Sequence, residues 1–94
     1  MLLRIVRMEF EKDKIDQFLE IFASGKPKIE QFEGCHEVEL YKDSKEDQVY
    51  FTHSIWESEV HLNNYRASDF FKGTWSKTRK LFAKKPRAYS LIKP

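Results

Sequence analysis

Apolar and charged residues alternate loosely from Leu2 to Phe10, the two-residue period of a strand. From Lys14 the period changes. Ile15, Phe18, Leu19 and Phe22 recur at i, i+3, i+4 and i+7, which puts them on one helix face with Asp13 as the N-cap. Ser24-Gly25-Lys26-Pro27 is expected to interrupt that helix. Pro27 suits the first turn of a continuation that turns Ile29 and Phe32 inward, and Glu33-Gly34 stops it. Cys35 to Tyr41 and Gln48 to Trp56 read as a hairpin around the polar loop Lys42 to Asp47. His36, Val38 and Leu40 share one face, as do Val49, Phe51, His53 and Ile55; a register that pairs these two faces keeps the apolar set together. Ser58 caps a short helix that runs to Arg66. Ser68 caps a longer one that runs to Lys84, with Phe71, Trp75, Thr78 and Phe82 on one stripe. Pro86 ends it, and Arg87 to Ile92 forms the last strand.

The resulting order is β-α-β-β-α-β with the second helix broken in two, the split βαβ arrangement of ferredoxin-like α+β folds. The sheet is antiparallel and carries its helices on one face. Residues 1–94 make a single domain. The other sheet face is expected to expose Leu3, Ile5, Tyr50 and Ser90, and an uncovered face of this kind invites a second copy by two-fold symmetry. Size points the same way. A chain this short buries only ~60–65% of its unfolded surface, so its own core is marginal. Eight Phe, four Tyr and two Trp are a heavy aromatic load, some of it available to line a cavity or a subunit interface.

Composition narrows the setting. No run approaches the ~20 apolar residues needed to cross a bilayer. Met1-Leu2-Leu3-Arg4 lacks the basic and apolar regions of a signal peptide. The single cysteine, Cys35, fits a reducing compartment, and the expected location is the cytoplasm. The net charge of +2 hides an asymmetry: all 15 acidic residues lie at or before Asp69, and eight basic residues follow it. That basic third reads either as an anion-binding surface or as a solvated helix face. Nucleic acid is not the expected partner, because Gln48 to Ile55 has neither the glycine nor the basic residue of an RNA-recognition strand.

A strand that runs into Trp56-Glu57-Ser58, followed by Ser68-Asp69-Phe70-Phe71, suggests a pocket between the sheet and its covering helices. These residues carry a resemblance. With Glu33-Gly34-Cys35 opening the second strand and Leu62 in the short helix, the chain resembles the antibiotic biosynthesis monooxygenase family of dimeric α+β barrels. The resemblance implies a homodimer of ferredoxin-like protomers whose sheets meet back to back, each with a pocket between sheet and helices. It further implies cofactor-independent oxidation of phenols, quinols or related aromatics by dioxygen; a subgroup degrades haem. The sequence departs from that pattern at informative places. Tyr65 and Phe70 stand where many relatives have histidine, and Ser54 where many have an acid. In the haem-degrading subgroup the iron-binding histidine aligns with Trp75, the pocket tryptophan with Tyr65, and a pocket asparagine falls near Val6 or Arg7, so haem has no axial donor here.

Cofactor-free oxygenation needs a base, an apolar pocket that strips water from the substrate anion, and a few hydrogen-bond donors. His53, mid-strand among apolar residues, suits a buried neutral base or a satisfied core histidine. The strand register decides whether His53 or Ser54 faces the pocket. Tyr65 and Trp75 can stack on an aromatic substrate, and Tyr65 can donate a hydrogen bond; Trp75 equally suits the helix core. These three are the candidate catalytic residues. Arg7, His36, Trp56 and Phe71 are the candidate substrate contacts: Arg7 for an anion if it points inward, His36 from the face of His53, Phe71 from the aromatic stripe of the long helix, and Trp56, whose main role is to fix the strand-to-helix corner. Two histidines without a third ligand do not make a zinc site, and no metal or organic cofactor is expected. Cys35 reads as a small apolar residue, not a nucleophile. The leading expectation is a monooxygenase acting with dioxygen on a small phenolic or quinol-like molecule, and the alternative is a non-catalytic dimeric binding module.

Overall fold

A computed structural model describes residues 1–94. The elements run β1 (Leu2–Phe10), a 3-10 turn (Lys12–Lys14), α1 (Ile15–Glu30), β2 (Cys35–Lys42), β3 (Val49–Trp56), α2 (Glu59–Arg66), α3 (Asp69–Arg79) and β4 (Phe82–Leu91). The strands form one antiparallel sheet in the order β2-β3-β1-β4, the ferredoxin-like α+β arrangement. No helix is long and apolar enough to cross a membrane.

Local chemistry explains the helix starts. Ser58 Oγ accepts the His61 N–H, and Ser68 Oγ accepts the Phe71 N–H at 3.1 Å, so each serine satisfies one orphan donor of the helix it opens. Asp13 is not a cap. It sits inside the 3-10 turn, and α1 begins after Lys14 with no side-chain cap. Ser24 to Pro27 does not interrupt α1 either. Pro27 removes the bond that its N–H would make to Ala23, but Ala23 is exposed and water can serve that carbonyl. Gly25 meanwhile is buried, with the Phe70 ring tip 3.5 Å from where its Cβ would stand, so packing holds the helix on course.

The C-terminal third departs furthest from the pattern reading. α3 stops at Arg79 and β4 starts at Phe82, where a helix was expected to continue to Lys84. Phe82 still meets Trp75, at a ring separation of 5.6 Å, but from a strand. Pro86 lies within β4. It is tolerated because β4 is an edge strand and because Lys85 and Pro86 bulge opposite Met8, between the pairs Arg7–Arg87 and Glu9–Lys84.

The hairpin register is shifted by one residue from the expected one. Val38 pairs with Ser54 and Leu40 with Thr52, while His53 pairs with Glu39 and with Ile5. His36 is the extra residue of a bulge between Cys35 and Glu37. The helix-facing side of β3 is therefore Tyr50, Thr52, Ser54 and Trp56. The outer side is Phe51, His53 and Ile55, level with Leu3, Ile5 and Arg7 of β1 and with Tyr89 and Leu91 of β4. Tyr50, expected outside, is buried in the core, and Ser90 is level with Arg4 on the helix side.

The core divides in two. Met8, Phe10, Phe18, Tyr50 and Leu81 pack at one end, with Phe10 stacked on Phe18 at 4.1 Å. Leu2, Trp56 and Leu62 pack at the other. On β3 the large Tyr50 and Trp56 serve the two ends, and the small Thr52 and Ser54 lie between them.

Gly34 joins α1 to β2 with φ +84°, and its carbonyl accepts the Glu57 N–H at 2.7 Å. A Cβ there would overlap the His61 ring. Gly73, in contrast, sits exposed in α3 with open space around its missing Cβ. Gly34→Ala is therefore expected to lower stability by about 1–3 kcal/mol, whereas Gly73→Ala raises it by about 0.5–1 kcal/mol. Thermal melting of the two variants should move in opposite directions.

Candidate functional site

Between the two core clusters lies a cavity of about 300 Å³. Its floor is the helix-facing side of the sheet: Arg4, Val6 and Met8 of β1, Val38 of β2, Thr52, Ser54 and Trp56 of β3, and Pro86 and Ala88 of β4. The roof is made by Phe18, Ile21, Phe22, Gly25 and Ile29 of α1, Leu62, Tyr65 and Arg66 of α2, and Phe71, Thr74, Trp75 and Thr78 of α3. Small side chains make the room. Thr52, Ser54 and Ala88 leave space on the floor, and Gly25 and Thr74 leave it in the roof.

Trp56 fixes one wall. It is fully buried, its indole N–H donates to Ser54 Oγ at 3.0 Å, and its ring stacks on Tyr65 with centroids 5.0 Å apart. Tyr65 is held on further sides by edge contacts with Phe32 and Phe71, at 5.0 and 5.1 Å. Burial, and secondarily the nearby Cys35, push the Tyr65 phenol well above the usual tyrosine range. At neutral pH Tyr65 is thus a hydrogen-bond donor and not a base. Ser68 Oγ donates to the Tyr65 carbonyl at 2.6 Å and so ties the end of α2 to the start of α3. Phe71 and Trp75 stack nearly parallel, 5.9 Å apart, one turn apart on α3. Thr78, also on the lining, donates its hydroxyl to the Thr74 carbonyl at 2.9 Å.

Tyr65, Trp75, Trp56 and Phe71 thus stand together on the cavity wall. His53, Arg7 and His36 do not reach it. His53 lies on the outer face of the sheet, edge-on to Tyr41, with its Nδ1 buried and unpartnered. The one-residue register shift puts Ser54 in the position expected for His53. Arg7 also faces outward, 3.6 Å from Glu9, because it shares the odd-numbered side of β1 with Leu3 and Ile5. His36 sits in the β2 bulge with an exposed side chain that bonds the Glu57 carboxylate, and this bond holds Glu57 below the usual carboxylate range. The Cys35 thiol, raised chiefly by burial, packs beside Leu2 and Trp56.

Two charged groups on the wall were not picked out from the sequence: Arg4 and Arg66. Arg4 donates to Ser90 Oγ at 2.9 Å. A signal for it was present, since Arg4 is the one charged residue among Leu2, Val6, Met8 and Phe10 on its side of β1. Arg66 had none, because a basic residue in the last turn of a helix also suits the helix dipole. No carboxylate or imidazole lines the cavity, and nowhere in the chain do three His, Cys, Asp or Glu side chains converge as a metal site. The cavity can hold an apolar ring, donate hydrogen bonds to it and favour negative charge on it; it offers no side chain to take a proton at neutral pH.

No curated protein matches the chain. Among solved structures, a conserved protein from Methanosarcina mazei Go1 superposes with a TM-score of 0.94 at 19% identity, over 100% of this chain and 94% of that one. A protein described as an antibiotic biosynthesis monooxygenase follows at 0.93 and 17%, over 100% and 99%. Rv0793 from Mycobacterium tuberculosis gives 0.91 and 14%, over 99% and 94%. At these identities the likeness speaks for the fold. Membership rests on the sequence profile described as "Antibiotic biosynthesis monooxygenase", which matches residues 1–75: the chain belongs to the antibiotic biosynthesis monooxygenase family.

Proposed function

We propose that the cavity binds a small phenolic or quinol-like aromatic and that the bound molecule is oxidised by dioxygen without an organic cofactor or metal. The observation that carries this reading is the composition of the wall: aromatic and aliphatic side chains throughout, with hydrogen-bond donors and positive charge but no acid. Trp56, Phe71 and Trp75 supply ring contacts, and the protonated Tyr65 donates to the substrate oxygen as it becomes an anion. An apolar enclosure strips water from that anion and makes it a better reductant. In such a reaction the ring supplies every electron. One oxygen atom enters the ring to give a quinone, and the other leaves as water with the phenol proton and the displaced ring proton.

Proton removal is the step for which the cavity has no side chain. The substrate must ionise by its own acidity, assisted by the positive wall. Turnover is therefore expected to rise with pH through the pKa of the substrate, and to shift with it when a more acidic phenol is used. A profile that keeps one midpoint for every phenol would place a protein base in the reaction. Oxygen-electrode assays are also expected to show Tyr65→Phe slower by about 10- to 100-fold, the loss of one hydrogen bond to a charged group, and Trp75→Ala weaker in substrate binding. Unchanged uptake in both variants would sink the proposal.

The absence of a base in the cavity also favours a second reading, a binding module that holds such a molecule without turning it over. Tight binding of phenols with no oxygen uptake at any pH would establish it.

A homodimer belongs to the same reading. Only 12 of 94 residues are buried in the single chain, and the outer sheet face carries Leu3, Ile5, Phe51, Ile55, Tyr89 and Leu91 with no layer over it. The occupant we assign is a second copy, its sheet laid against this one about a two-fold axis. The family resemblance supports the same assembly, and the lone Cys35 supports a reducing, cytoplasmic setting. Sedimentation equilibrium should give twice the chain mass, and Phe51→Lys should give a folded monomer. A single-chain mass for the unsubstituted protein would refute the dimer.

A further inference from the structure

Arg4 and Arg66 reach the same cavity wall from opposite layers, one from the sheet and one from the last turn of α2. Neither has a counter-ion. Every ion pair in the protein is made by other residues, although the chain carries 15 acidic side chains. The Arg4 guanidinium is half buried and held by Ser90 Oγ. Burial first, and the charge of Arg66 second, lower its pKa from the ordinary arginine value. Two cations thus line one largely apolar space with no acid to balance them. An anion bound at that wall would offset the charge of both and the partial desolvation of Arg4. Ser90, just outside the cavity lining, accepts from Arg4 and so fixes the direction of its guanidinium.

We propose that Arg4 and Arg66, with Ser90, form a carboxylate subsite at the edge of the cavity, so that the ligand is an aromatic acid: its ring lies among Trp56, Tyr65 and Trp75 and its carboxylate on the arginine pair. This rests on the reading of the cavity as the ligand site and adds the chemical class of what it takes. Guanidinium groups suit the task because their forked donors match the two oxygens of a carboxylate. The apolar walls suit the remainder of the molecule, and the cavity volume of about 300 Å³ is at the lower bound for small-ligand sites. The same two charges that favour ionisation of the ring hydroxyl would then also select the substrate and orient it through its carboxylate.

The test is calorimetric titration of the full chain at neutral pH with 6-hydroxy-2-naphthoic acid, its methyl ester and 2-naphthol. The acid is expected to bind about 10-fold or more tightly than the ester, in line with charge-assisted hydrogen bonds. Arg4→Gln and Arg66→Gln should each remove most of that preference while leaving ester affinity within about twofold. Arg66→Glu should reverse it. Arg66 is exposed, so its variants carry the test even if Arg4→Gln fails to fold. Equal affinity for acid and ester, or a preference that survives the Arg66 substitutions, overturns the carboxylate subsite while binding of naphthol and ester still upholds the cavity as the ligand site. Failure of all three compounds to bind overturns both.

Discussion

The stacking of Trp56 on Tyr65 is the contact on which the rest of this structure turns. Trp56 closes β3 and pairs across the sheet with Leu2 on one side and Cys35 on the other. Its full burial ties three strands to α2 at one end of the molecule. Tyr65 then passes the constraint on, through Phe32 to the end of α1 and through Phe71 to α3. The opposite end is closed independently by Phe10, Phe18 and Tyr50. With both ends pinned by aromatic clusters, the small residues between them cannot collapse the space, and a cavity persists where a domain of this size would ordinarily have its core.

That arrangement has an electrostatic consequence. Burial keeps the Tyr65 phenol protonated, and the charges at the wall belong to two arginines. The cavity thus combines an apolar lining with positive charge and no acid. It also separates this chain from the expectation of a histidine base, because all three histidines lie outside the cavity: His53 on the outer sheet face, His36 in the β2 bulge and His61 at the Ser58 cap. Family chemistry on this scaffold would therefore depend on the acidity of its substrate and on positioning, with binding and catalysis sharing nearly the same side chains.

The elements that were legible in the sequence are those specified locally. β1, the hairpin strands and both serine caps depend on alternation and on short side-chain bonds to neighbouring backbone. The misassigned sheet faces share one cause. β3 reads Val-Tyr-Phe-Thr-His-Ser-Ile-Trp, and its more apolar set, Phe51, His53 and Ile55, is the outer one. The rule that apolar residues face the core presumes that the other face meets water. Here the inner face must supply Thr52 and Ser54 to a cavity, and the outer face is apolar on its own account. The face assignments of His53, Tyr50 and, on neighbouring strands, Arg7 and Ser90 follow from that inversion. Pro27 and Pro86 misled for a related reason: each is a local breaker overridden by packing or by an edge-strand bulge.

The amino-acid sequence by itself determined the element order, the helix entrances at Ser58 and Ser68, the family, and the aromatic character of Trp56, Tyr65, Phe71 and Trp75, because each is carried by residues close together in the chain. Tertiary structure alone decided which side of β3 faces the helices, that Arg4 and Arg66 line the same cavity, and that no histidine or carboxylate enters it. Those facts depend on strand register and on the distance between side chains 62 residues apart in sequence. Periodicity leaves both open: a one-residue slip exchanges every side chain between faces without changing the pattern of any single strand.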